Sequence, residues 1–158
     1  MSILDIISLL PLAYLAVVSV PLILVDMREH RLPNKIVLPF AALSFTTVLA
    51  VNIANQDWFN LTLAIGLPLL AFILGIIANY ADYIGMGDVK LLTALLLAVG
   101  VYSPLTALWI IPLTVLISLV VIIYAVNKQR LSVGSNVPLG PWLLLSTWIV
   151  VALANSAW

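Results

Sequence analysis

The chain has 158 residues, of which 65% are hydrophobic and 8% are charged, whereas soluble domains average about 45–50% apolar and 25% charged residues. This composition excludes an ordinary soluble domain and indicates a membrane protein. Six basic residues balance six acidic ones, so a basic surface for nucleic acid is not expected. The sequence contains no cysteine, which excludes disulfides, thiolate metal sites and cysteine nucleophiles.

Apolar segments follow one another along the chain, and all but the fourth approach the length of about 20 residues that crosses a bilayer. The segments are Ile3–Val25, Ile36–Ala54, Trp58–Asn79, Val89–Val101, Leu105–Val126 and Leu139–Ala154. They predict an all-α bundle of about six transmembrane helices that forms a single domain, residues 1–158. The fourth segment is short, so a merged or re-entrant segment there is the alternative. The first lacks the basic start and cleavage site of a signal peptide and is expected to be a retained helix.

The positions of the basic residues predict how the bundle is oriented. If the six segments alternate in direction, every basic residue falls on one side of the membrane. These residues are Arg28, Arg31, Lys35, Lys90, Lys128 and Arg130. The opposite side has Asp5 and Asp57 as its charged residues. Because positive charge is retained in the cytoplasm, the odd-numbered connections are expected there and both termini outside.

Two aspartates fall on this same predicted cytoplasmic side: Asp26 at the end of the first segment and Asp88 at the start of the fourth. Taken singly, Asp88 has an ordinary interpretation as a helix N-cap and Asp26 as a solvated turn residue. Taken together, two carboxyl groups at one membrane depth suit the hydrolysis of a peptide bond. An ionised carboxylate takes a proton from water, and a protonated one donates to the carbonyl oxygen.

Glycines precede the second aspartate in the stretch "GMGDVK". Gly85 and Gly87 lack side chains, so a substrate backbone could approach Asp88 closely at this point, although a tight turn before a helix would need the same residues. The stretch is too short for a dinucleotide-binding fingerprint and does not match a phosphate-binding loop. Glycine spacing alone therefore leaves both interpretations open.

Three segments together resemble one family of membrane enzymes. "GMGDVK" at Gly85–Lys90 and "DMREHRLPN" at Asp26–Asn34 are similar to the motifs of the GxGD-type aspartic peptidases that process prepilins. "VPLGPWLLL" at Val137–Leu145 is similar to the Pro-aromatic-Gly-Pro segment in the last helix of that family, with Leu139 in place of the aromatic residue. The resemblance extends over nearly the whole chain and implies that the two aspartates are the catalytic pair.

Further residues of these segments are expected to bind substrate or shape the site. They are Gly85, Gly87, Lys90, Arg28, Pro138, Gly140 and Pro141. The resemblance implies substrates of the prepilin or pseudopilin type: a short basic leader, a glycine before the cut, and then a hydrophobic helix. It also implies a bacterial inner membrane, a site that faces the cytoplasm, and contact with a pilus or secretion machinery.

The larger members of the family have a cytoplasmic region with paired cysteines that methylates the new N-terminus. This chain lacks those cysteines and resembles the short, peptidase-only forms associated with Flp/Tad-type pili. No cofactor, no metal ion and no methyltransferase domain are expected.

Two other classes of protein could also place acidic residues in an apolar helical bundle. A small transporter or proton pathway should have its ionisable groups near the middle of broken helices, whereas the interiors of these segments are uncharged. A non-enzymatic subunit of a pilus or secretion assembly would not require two facing acids. Substitution of the aspartates in a cleavage assay separates such a subunit from an enzyme.

Overall fold

The computed structural model describes residues 3–29, 32–127 and 139–154, and within these ranges the chain is helical without a β-strand. The helices are α1 (Ile3–Glu29), α2 (Asn34–Ala54), α3 (Trp58–Tyr80), α4 (Met86–Gly100), α5 (Pro104–Ala107), α6 (Ile110–Asn127) and α7 (Gly140–Ala154). The helices α1, α2 and α3 and the segment Pro104–Tyr124 are long and apolar enough to cross a membrane. The predicted all-α, polytopic membrane fold is therefore confirmed.

Helix α4 lies at the centre of the bundle. It contacts α1, α2, α3, α5 and α7, and nine of its 15 residues are buried. At about 1.5 Å per residue it is about 22 Å long, which is less than the hydrocarbon thickness of about 30 Å. The short fourth segment of the sequence is thus an apolar helix that other helices surround. Its buried leucines and alanines form most of the core with residues of α1, α2 and α7.

The surface of the bundle is apolar where lipid would surround it. Helices α3 and α6 expose many large aliphatic and aromatic side chains, among them Phe59, Leu70, Ile77, Leu119 and Ile123. Hydroxyl groups inside the helices donate to carbonyls of the preceding turn: Ser44 to Phe40 at 2.8 Å and Thr147 to Leu143 at 2.7 Å. Such bonds satisfy polar groups without a partner from another element, as an apolar solvent requires.

The predicted fifth segment is divided, and a proline explains the division. Residues 108 and 109 form a turn between α5 and α6. Pro112 has no N–H to donate to the carbonyl of Leu108 four residues earlier. That carbonyl instead accepts from Ile111 N at 3.2 Å, which tightens the chain at the point where α5 ends and α6 begins.

Candidate active site

The first predicted catalytic residue, Asp26, lies in the last turn of α1 and is 4% exposed. The interpretation of Asp26 as a solvated turn residue is wrong, because α1 continues to Glu29, one turn beyond the apolar run. Gly140 N, the first amide of α7, donates to Asp26 Oδ2 at 3.1 Å. The last helix of the bundle therefore contacts the carboxylate at the end of the first.

The second predicted catalytic residue, Asp88, is the third residue of α4. The helix begins at Met86, and Gly85 occupies its N-cap position. The interpretation of Asp88 as the N-cap is therefore wrong. Its amide donates to Gly85 O at 3.0 Å, while its side chain is partly buried. Atom Oδ1 is buried and has no hydrogen-bond partner among the described residues. A buried carboxylate oxygen that accepts no hydrogen bond raises the free energy of the folded protein. Water or substrate in the site would donate a hydrogen bond to this atom.

The loop before α4 is held by a side chain of α3. Asn79 Nδ2 donates to Ile84 O at 2.8 Å, and this bond spans the turn that reverses the chain. Asp82 adopts a positive φ of 57° in that turn, a conformation that aspartate tolerates better than most residues. Asp82 is exposed. The turn fixes the direction in which α4 starts and with it the position of Asp88.

Asp26 and Asp88 line one cavity, which we call the polar cavity. Its volume is about 390 Å³, and its wall also includes Leu32, Asn34, Gly85, Met86, Gly87 and Lys90. The charge of Asp26 acts on the carboxyl group of Asp88. The structure thus brings together the two aspartates, both glycines of the "GMGD" stretch and the lysine that the sequence analysis selected.

Each glycine of the site lies close to a neighbour: a side chain would collide at Gly140 and would make a tight contact at Gly85 and Gly87. A Cβ atom at Gly140 would lie 2.6 Å from Asp26 Oδ2, and one at Gly85 would lie 3.1 Å from Asp88 Oδ2. At Gly87 a Cβ atom would lie 3.1 Å from Leu32 Cβ. Two of the three glycines therefore give room to a carboxyl group, and Gly87 gives room to the segment that links α1 to α2.

Among the other predicted site residues, Lys90 joins two helices. Its Nζ donates to Asn34 Oδ1 at 3.2 Å, which links α4 to α2 beside the polar cavity. Arg28 is exposed in the last turn of α1. Pro141 is the second residue of α7 and follows the amide that binds Asp26. Pro138 lies outside the described residues.

Sequence reasoning did not select Asn34, which begins α2 and lines the polar cavity. The available signal was a polar side chain at the end of the motif that starts with Asp26. Leu32 and Met86 also line the cavity, but nothing in an apolar residue near a helix end marks such a role. Across residues 3–29, 32–127 and 139–154, no three acidic or histidine side chains come together as a metal site would need.

The fold and the site define a polytopic α-helical membrane protein in which two carboxyl groups share a cavity at one end of the bundle. The model of the type IV leader peptidase family matches residues 13–126, and the chain belongs to this family. No curated protein and no solved structure shows significant similarity to the chain. The resemblance to prepilin peptidases is confirmed at the level of the family, which makes the chain a peptidase for prepilin-type substrates in a membrane.

Proposed function

We propose that this leader peptidase is an aspartic endopeptidase, and that Asp26 and Asp88 form its catalytic pair. The observation that supports the proposal best is the polar cavity, where two carboxyl groups 62 positions apart in sequence line one wall. Both aspartates lie within the stretch that matches the family. The buried Oδ1 atom of Asp88 would gain the hydrogen bond that it lacks among the described residues when water or a peptide occupies the cavity.

In the proposed reaction the pair shares one proton. The ionised carboxylate takes a proton from water as the water oxygen bonds to the carbonyl carbon, and the protonated carboxyl donates its proton to the carbonyl oxygen. The tetrahedral intermediate then collapses: its C–N bond breaks, the nitrogen receives a proton from one carboxyl group, and a hydroxyl group of the intermediate returns its proton to the other aspartate. The first products are a carboxylic acid on the leader and an amine on the mature chain, and transfer of the acid's proton to the amine gives a carboxylate and an ammonium group. The pair ends with one shared proton, as it began, and the reaction consumes one water molecule.

The proposed substrate is a prepilin or pseudopilin, cut after a glycine that ends a short basic leader. A helical peptide cannot be hydrolysed while its carbonyls are hydrogen bonded, so the junction between leader and hydrophobic helix must lie extended in the polar cavity. Gly85 is exposed and Gly87 is partly exposed at the wall of the polar cavity. Because glycine has no side chain, neither residue obstructs the approach of an extended backbone.

We further propose that the site faces the cytoplasm of a bacterium, at its inner membrane. Lys90 and Asn34 line the cavity, and Lys35 follows Asn34 in α2. Arg28 lies in the last turn of α1, two residues after Asp26. Basic residues at this end of the bundle agree with the retention of positive charge in the cytoplasm. A pilus or secretion machinery of the Flp/Tad type is the proposed setting for the products.

The alternative of a transporter or proton pathway has no observation in its favour. Asp26 lies in the last turn of α1, and Asp88 in the first turn of α4. Neither is near the middle of a broken helix, where the ion sites of secondary transporters lie. Membership of a leader peptidase family also favours hydrolysis over transport.

Purified protein in liposomes is expected to convert a prepilin into a shorter product whose N-terminus follows the leader glycine. Gel mobility gives the size change, and N-terminal sequencing or mass spectrometry gives the cut site. The matched control replaces the leader glycine of the substrate by valine, which should block cleavage. An enzyme that leaves every tested prepilin and pseudopilin intact would contradict the proposed activity.

The same reaction with added S-adenosylmethionine is expected to give a product with an unmethylated amino terminus. We propose that the chain forms a single peptidase domain with no methyltransferase domain, since it lacks the paired cysteines that the bifunctional members contain. Intact-mass spectrometry separates the two products by one methyl group. A gain of that mass, dependent on the cofactor and on this chain alone, would overturn the peptidase-only proposal.

A further inference from the structure

A second polar cavity lies at the other end of the bundle, and we call it the distal cavity. It has a volume of about 330 Å³ and lies where α1 and α3 begin and where α2 and α4 end. Asp5, in its wall, and Asp26 belong to the first and last turns of the same helix. At about 1.5 Å per residue, the distal cavity is therefore about 30 Å along α1 from the catalytic pair.

The wall of the distal cavity is rich in oxygen atoms and carries negative charge. Its polar side chains include Asp5, Ser8, Asn52, Asn55, Asp57 and Asn60, and among the described residues no Lys, Arg or His lines it. Two helix N-termini and two helix C-termini border it, and their partial charges of about +0.5 and −0.5 cancel. The carboxyl groups of the two aspartates thus give the wall a negative charge, which favours a cation as its ligand.

A side-chain amide forms the buried part of this wall. Asn52 is 2% exposed, and its Nδ2 donates to Val48 O, one turn earlier in α2, at 2.9 Å. This bond engages the amide nitrogen, whereas no described residue donates to Asn52 Oδ1. A buried amide oxygen without a partner raises the free energy of the folded protein. A ligand in the cavity that binds to oxygen would remove this cost.

The turn between α2 and α3 brings a carboxylate next to this amide. Asp57 N donates to Asn52 O at 3.0 Å, and Gln56 adopts a positive φ of 55° between the two helices. Asp57 Oδ1 accepts from Asn60 N at 3.0 Å, which leaves Oδ2 for a ligand. The backbone of the turn therefore holds an amide oxygen and a carboxylate oxygen in one wall before a ligand binds.

We propose that the distal cavity binds a hydrated Ca²⁺ ion, with Asn52 Oδ1 and the carboxylates of Asp5 and Asp57 as ligands. Ca²⁺ takes about six to eight oxygen ligands from carboxylates, amide carbonyls and water, in a flexible geometry. The described residues form no cluster of three acidic, histidine or cysteine side chains, but Ca²⁺ does not need one. A cavity of about 330 Å³ has room for several water molecules at about 30 Å³ each. The sequence does not predict such an ion, because its ligands come from three helices.

Thermal unfolding of the full chain in detergent, first in EDTA and then with rising concentrations of CaCl₂, tests the site. The unfolding temperature should rise and then saturate, because a ligand that binds the folded state stabilises it. The fitted Kd is expected at about 10⁻⁴–10⁻³ M, the range of extracellular calcium modules. Mg²⁺ should bind about tenfold or more weakly, since it requires near-ideal octahedral geometry. An unfolding temperature that does not respond to CaCl₂, or equal affinity for Mg²⁺, would overturn the calcium site.

Two variants then locate the ion. Asp57→Asn removes a charge and keeps the helix cap, and Asn52→Leu removes the amide oxygen with little change in volume. Each should raise the Kd for Ca²⁺ about tenfold or more, because the charge and number of the ligands set calcium affinity. If Asn52→Leu does not fold, Asp57→Asn decides: a raised Kd supports the site, and an unchanged Kd overturns it.

Asp82→Asn is the matched control, because Asp82 is an exposed acid in the turn before α4, at the catalytic end. Asparagine tolerates its positive φ, so the Kd should equal that of the unaltered protein. Asp26→Asn should also keep the Kd. A Kd that rises in Asp26→Asn and not in Asp57→Asn would place the ion at the catalytic pair and overturn the distal site. The calcium site is independent of the proposed function, since a protein that binds Ca²⁺ and cleaves no prepilin contradicts the peptidase alone.

Discussion

Asp26→Asn and Asp88→Asn are each expected to slow leader removal by about 10²–10⁴-fold, the range typical of a positioned general acid or base. Asparagine keeps the shape of the side chain but cannot exchange a proton with water. At position 26 it can still accept the hydrogen bond from Gly140 N. Single-turnover rates on a reconstituted prepilin measure the loss. The double variant should be no slower than the slower single variant, because groups that act as one unit are not additive.

Asp57→Asn is the control for this substitution. Asp57 caps α3 by accepting from Asn60 N at 3.0 Å, and asparagine caps a helix about as well as aspartate. It borders a different cavity, with Asp5 and Asn52, so cleavage should be unchanged. If both single variants at the catalytic pair process the substrate at near-normal rates while the protein is inserted, the assignment of the pair is wrong.

The fold could be predicted from hydropathy because the lipid bilayer determines which backbone structures can form in it. In a bilayer an isolated segment must satisfy its own backbone groups, so an apolar run of sufficient length becomes a helix. Alternation of such helices then brings every second connection to the same side. This rule predicted the end of α1 and the start of α4 on the same side of the membrane but not in contact, and the structure has Asp26 and Asp88 on one cavity.

Helix ends were harder to predict, because an apolar run and a helix stop for different reasons. The apolar run of α1 stops at Val25, but the residues that follow are compatible with a helix, which continues to Glu29. This one additional turn puts Asp26 inside the helix and largely out of solvent. At α4 the reverse holds: the helix starts before its apolar run, at Met86, so Asp88 lies inside its first turn.

Contacts between distant parts of the chain could not be predicted from any local pattern. The bond from Gly140 N to Asp26 joins residues 114 positions apart, and it depends on how α7 packs. Two further bonds hold α7 in place: Trp148 Nε1 donates to Ser19 Oγ at 3.2 Å, and Ser146 contacts Thr114. Hydropathy predicts that α7 exists but not which helices it lies between.

The packing of α7 leads to the second large expected effect. Gly140→Ala should lower the rate of leader removal by about 10²-fold or more, the cost of moving a catalytic group by about 1 Å. The new Cβ atom would lie 2.6 Å from Asp26 Oδ2, which is closer than real contacts allow, and 3.0 Å from its Cγ. Either the carboxylate of Asp26 or the start of α7 must therefore shift.

The matched control is Gly66→Ala, the same substitution at an exposed position of α3 where a Cβ atom would meet nothing within 4 Å. Alanine favours a helix over glycine by about 1 kcal/mol, so this variant should insert and cleave as the unaltered protein does. Thermal unfolding in detergent, recorded for both variants, separates a displaced carboxylate from a damaged fold. We expect Gly140→Ala to keep a cooperative transition and lose cleavage, because the collision is confined to one side chain at the end of α1. Cleavage by Gly140→Ala at the rate of Gly66→Ala would show that the contact between α7 and Asp26 does not position the catalytic pair.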